Sequence, residues 1–109
     1  MESELDSEIR QSAIQRIAWI FSIPAELLRP EWRFGVELKS SFRSDFRRNE
    51  YDHLNDDIHD VADRATLRLF ADERLVIRTV GDYCQLMVDQ SKARPSLVRD
   101  VLLERNDRT

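Results

Sequence analysis

Turn-making residues are scarce in this chain, with two glycines and three prolines among 109 residues. Glycine supplies the positive φ angles of tight turns and proline pre-sets their corners. A sandwich or barrel of short strands needs such corners roughly every 8–12 residues. So few of them point instead to helices joined by a small number of connections. The rest of the composition agrees. Apolar residues make up 41% and charged residues 35%, which suits helices with narrow buried stripes and broad wet faces. The length suits one domain, residues 1–109, around one core.

Composition also thins the field of functions. The one cysteine, Cys84, leaves no internal disulfide and no cysteine-rich zinc site. No apolar run approaches the roughly 20 residues of a membrane span. The start, Met1-Glu2-Ser3-Glu4-Leu5-Asp6, is acidic where a secretory signal is basic and then apolar. A cytoplasmic protein that meets neither membrane nor nucleic acid is the expectation. The net charge is −4, and it is unevenly spread. Residues 49–64 hold six acids against one arginine, while residues 31–48 hold five Lys/Arg against three acids. Polyanion binding draws on clustered cations, which such a balance does not favour.

Apolar spacing places the helices. Ile9, Ala13, Ile17 and Ile20/Phe21 predict a helix over about 6–21. Residues 22–30 contain Pro24 and Pro30 and read as a break with one helical turn. Trp32, Phe34, Val36 and Leu38 alternate with polar residues, but the run is short and a loop that plugs the core is favoured. Phe42 and Phe46 suggest a helical turn near Ser40 or Ser41. Tyr51, Leu54, Ile58, Val61 and Ala65 form a continuous helical seam, which Asn49 can cap. Residues 66–78 read either as a hairpin around 71–73 or as a loop with a short helix. Thr79-Val80-Gly81-Asp82 is a capping box that opens a helix to about Gln90. Its apolar face is Val80, Tyr83, Cys84, Met87 and Val88. Ser96 then caps a C-terminal helix over about 96–105, an extension beyond a core at about 6–90. The fold class is all-α, a bundle of three or four helices with a long irregular connection between the first and second.

Three segments, in order, resemble the acyl carrier protein family. Residues 20–31, Ile-Phe-Ser-Ile-Pro-Ala-Glu-Leu-Leu-Arg-Pro-Glu, look like the end of that family's first helix and the loop after it. Arg33-Phe34-Gly35-Val36-Glu37-Leu38 is similar to the pattern that precedes the carrier serine. Arg78-Thr79-Val80-Gly81-Asp82-Tyr83 looks like the start of the last helix. The acidic helix from Glu50 matches in character. The resemblance implies an atypical or degenerate carrier, because the family's Asp-Ser-Leu tripeptide does not occur. It implies 4′-phosphopantetheine on Ser41, with Ser44 as the alternative. It implies docking of acyl-transferring enzymes through Glu50, Asp56, Asp57 and Asp60, by a monomer or weak oligomer. The alternative is a protein–protein interaction module with no prosthetic group.

Nothing in the spacing assembles an enzyme. Cys84 lies on an apolar face with no histidine set beside it, as a buried core residue would. His53 and His59 each follow an acid by three residues, but their six-residue separation turns them about 120° apart around one helix. No catalytic residue and no metal ligand is assigned.

Overall fold

The computed structural model describes residues 3–39 and 50–104. Among these the protein is all-α: five α-helices and no strand. Helix α1 spans Glu4–Phe21, α2 Glu50–Val61, α3 Arg64–Ala71, α4 Val80–Ser91 and α5 Pro95–Arg99. The last is continued by a π-helical turn over Asp100–Glu104, and Ala25–Leu27 forms a 3₁₀ turn after α1.

The core lies between α1 and α4. Ala13 and Ile17 of α1 meet Val80, Tyr83 and Met87 of α4, and all five are fully buried. Leu54, Ile58 and Val61 of α2 close one side. Val98, Val101 and Leu102 of the C-terminal segment close another. No helix of the described residues is long and apolar enough to cross a membrane.

Helix starts follow local chemistry. The Ser3 hydroxyl accepts the Asp6 amide at 3.1 Å and caps α1. The Thr79 hydroxyl accepts the Asp82 amide while the Asp82 carboxylate accepts the Thr79 amide, completing the expected capping box. The expected cap at Ser96 is replaced by Pro95 at the first turn, where a fixed φ and a missing N–H cost nothing.

The seam of α2 ends earlier than the apolar spacing suggested. Ala65 is exposed on α3, because Asp63 leaves the helical path and caps a new helix. Its carboxylate accepts the Thr66 amide at 2.8 Å, and its own amide donates to Gln90 Oε1 at 3.0 Å. Residues 64–71 are therefore helical, and no hairpin forms at 66–78. That division adds α3 and raises the expected three or four helices to five.

Over residues 31–39 the connection after α1 is a loop, as favoured, tied down rather than woven into a sheet. The Phe34 amide donates to Arg78 O at 2.9 Å and the Val80 amide to Trp32 O at 2.9 Å. Gly81 brings the first turn of α4 against Pro30, donating to its carbonyl at 2.8 Å. A Cβ on Gly81 would lie 3.2 Å from that carbonyl oxygen, too close for an easy fit.

Two helices end on a non-glycine residue in the left-handed region, Ser22 (φ 57°) and Glu73 (φ 59°). Both sit where glycine usually closes a helix: Ile23 N reaches Ala18 O, and Arg74 N reaches Leu69 O. Ser22→Gly and Glu73→Gly are each expected to raise stability by about 0.5–1 kcal/mol, since the Cβ penalty disappears. Urea unfolding would show it as a higher midpoint at unchanged slope; a lower midpoint would contradict the account.

Candidate functional site

Helix α2 carries the residues expected to meet partners, and its two faces divide them. Asp56 and Asp60 are exposed and Glu50 is half-buried at the helix start. Asp57 is fully buried, so it cannot be part of a docking surface. Ser41 and Ser44, like Asn49, Phe42, Phe46 and the arginines at 43, 47 and 48, lie outside the described residues.

Asp57 belongs to an internal network. Arg16 of α1, itself 2% exposed, grips it as a fork, Nε to Oδ2 at 2.8 Å and Nη2 to Oδ1 at 3.1 Å. The Tyr83 hydroxyl of α4 donates to Oδ2 at 2.8 Å. The guanidinium carbon of Arg16 also stands 5.2 Å from the Trp19 ring centre, and His53 of α2 meets that ring edge-on. One buried carboxylate thus joins three helices. Burial, and then the Asp57 carboxylate beside it, hold the Tyr83 phenol well above its usual range.

The sequence carried a sign of this network that spacing alone had passed over. Each member occupies the second position of an i, i+3, i+4, i+7 stripe: Ala13-Arg16-Ile17-Ile20, Leu54-Asp57-Ile58-Val61 and Val80-Tyr83-Cys84-Met87. A cation and an anion on two such stripes are a pair in waiting, because neither is tolerated in a core without a partner.

A second polar cluster sets the α2–α3 corner. Gln90 Nε2 donates to Thr66 Oγ1 at 3.0 Å while its Oε1 accepts the Asp63 amide. Arg94 donates to Val61 O, the last residue of α2. The Asp63 carboxyl is held below its usual range by the Thr66 amide, then by the Thr66 side chain, with Arg94 adding to the effect.

Beside the first two turns of α2 runs an apolar groove of about 300 Å³. It is lined by Phe34, Gly35, Tyr51, Leu54, Asn55, Ile58 and Ile77. The Tyr51 hydroxyl donates to Leu38 O at 3.0 Å and ties the loop to the helix. Phe21 stacks on Phe34 and meets Tyr51 edge-on, both at 6.2 Å between ring centres. Phe34 lines this groove, whereas Trp32 faces a separate hollow with Ile23 and Leu27.

His59 Nδ1 lies 2.8 Å from Asn55 O. Among the described residues no group of three or more His, Cys, Asp or Glu is placed to hold a metal ion. Cys84 is buried, and burial pushes its thiol up from 9.0 to about 11, with Arg10 offsetting part of the effect. A raised value means the fold favours the protonated thiol. That contribution is complete below pH 9 and is lost as the pH rises towards 11, amounting to about 2–3 kcal/mol. Stability of the wild type is therefore expected to fall more steeply than that of Cys84→Ala between pH 9 and 11. Urea midpoints at several pH values would show it, and parallel curves would refute it.

No protein-family model, no curated protein and no solved structure matches this chain. What stands is a compact all-α protein whose described residues form five helices, with an acid-faced helix beside an apolar groove.

Proposed function

We propose that this is an acyl-carrier-like protein, an atypical or degenerate carrier that presents α2 to partner proteins. The observation that carries the reading is the pairing of exposed Asp56 and Asp60 with the apolar groove on the same helix. Carboxylates on a helix steer a cationic partner and raise the encounter rate. A groove lined by Phe34, Leu54, Ile58 and Ile77 suits a hydrocarbon chain. Ser41 and Ser44 precede α2 in sequence by nine and six residues, counting to Glu50. A thiol arm on either would carry an acyl group and hand its thioester to separate enzymes. In this reading the protein does no chemistry itself; it tethers. The order of long helix, long connection, acidic helix, short helix and capped helix supports the resemblance drawn from the sequence.

The test is intact-protein mass after incubation with coenzyme A and a broad-specificity phosphopantetheinyl transferase. The reaction breaks the pyrophosphate bond of coenzyme A, joins its phosphopantetheine to the serine oxygen, and releases adenosine 3′,5′-bisphosphate and the serine proton. One added phosphopantetheine is expected, lost in Ser41→Ala or in Ser44→Ala. No gain, with a known carrier modified alongside, would leave the second reading, a protein-interaction module without a prosthetic group. That second reading has its own support in the exposed apolar side chains of α3.

A further inference from the structure

Helix α3 and the chain after it hide little of their surface. Of the eight residues of α3 only Thr66 is buried, whereas α4 buries eight of its twelve. Leu67, Leu69 and Val76 are 37%, 38% and 46% exposed. Residues 64–78 also carry four arginines, Arg64, Arg68, Arg74 and Arg78, against two acids, Asp72 and Glu73. All four arginines are exposed, and none makes an ion pair or side-chain hydrogen bond among the described residues. The segment is nevertheless held in place. The Arg74 and Leu75 amides both donate to Leu69 O, at 2.9 and 3.3 Å, and Arg78 O accepts from the loop at Phe34. At about 100° per residue, Arg64 and Arg68 share the outer face of α3, with Leu67 and Leu69 on its two flanks.

From this we infer that the α3 surface is a docking site for an acidic amphipathic segment of another protein. Charge complementarity selects the partner. Exposed arginines with Leu67 on one flank fit a helix that offers leucines on one stripe and carboxylates next to it. The same observations count against broader anionic surfaces. The whole chain is net −4, and α2, which adjoins α3 in the chain, exposes Asp56 and Asp60. A membrane or a nucleic acid wide enough to cover both helices would meet those acids as well as the arginines. At eight residues α3 is also only about 12 Å long, and its outer face presents arginines where a lipid-surface helix would insert an apolar stripe. A second copy of the chain fits poorly, since the apolar stripe of its acidic helix, Leu54, Ile58 and Val61, is already inside its own core. This surface is separate from the groove on α2, and the inference holds whether or not a serine is modified.

The test uses the full-length protein and a fluorescent helical peptide of about 16 residues. The peptide carries leucines at i, i+3, i+4 and i+7 and glutamates elsewhere; its partner probe has the same composition, scrambled. Anisotropy is expected to show binding of the ordered peptide only. The affinity should fall about tenfold or more in Arg68→Glu/Arg74→Glu, in Leu67→Ser/Leu69→Ser, and on raising salt from about 0.05 to about 0.5 M. Circular dichroism and urea midpoints would confirm that the variants fold; Arg68→Gln/Arg74→Gln serves if the double glutamate does not. Absence of peptide binding, equal binding of the scrambled probe, or indifference to these variants would overturn the inference. So would tighter binding of phosphatidylglycerol vesicles or duplex DNA through the same residues, or self-association that depends on them.

Discussion

Asp57→Ala is expected to cost about 3–5 kcal/mol of folding stability, with Arg16→Ala close behind. The magnitude comes from what is left, not from what is removed. Arg16 is 2% exposed and Asp57 fully buried. Deleting either strands the other's charge in a site that excludes water, with Tyr83 adding a second unmet group when Asp57 is the one lost. Against a typical stability of about 5–15 kcal/mol, that loss leaves a marginal protein. The same reasoning predicts that removing the whole network at once is benign. Arg16→Met/Asp57→Leu/Tyr83→Phe should come within about 1–2 kcal/mol of the wild type or exceed it, because no charge needs desolvation. Tyr83→Phe alone should be milder than Asp57→Ala, at about 1.5–3 kcal/mol, since Arg16 still holds the carboxylate. Urea midpoints of the four variants decide the matter. A triple variant no better than Asp57→Ala would show that the network contributes packing and not charge compensation.

Met87→Ala and Ile17→Ala should each cost about 2–5 kcal/mol by opening a cavity in the seam between α1 and α4. Both side chains are fully buried in the cluster where those helices meet. The contrast lies on the same helix. Trp19 is 40% exposed and meets Arg16 and His53 at its faces. Trp19→Ala should therefore cost less than Ile17→Ala, although it deletes the larger side chain. Thermal and urea unfolding of the three variants would show whether burial or size ranks them; a costlier Trp19→Ala would place that ring in the core.

Much of this arrangement was legible from spacing. The stripes of α1, α2 and α4 and the capping box at Thr79 follow from periodicity and local hydrogen bonding, which act over a few residues. The break at Asp63 was harder, because the group that draws its amide out of the helix is Gln90, in another element. Ala65 continued the apolar stripe and so argued for an unbroken helix. Asp57 was misjudged for a related reason. Five other acids between Glu50 and Asp63 decorate the remainder of the segment, and only its register against Leu54 and Ile58 separated it from them. The candidate groove was less visible still. It draws on the loop at Phe34, on α2 and on Ile77, and pattern within one segment says nothing of three segments meeting.

The Arg16–Asp57–Tyr83 contact also bears on how the molecule comes apart. Its members are separated by 41 and 26 residues along the chain. A partly assembled protein with any one of the three helices undocked keeps either an ion or a hydroxyl without its match. Intermediates of that kind are penalised, so α1, α2 and α4 gain and lose their structure together as one cooperative unit. The α3 segment holds no member of that network and is tied to α4 through Thr66 and Gln90 instead.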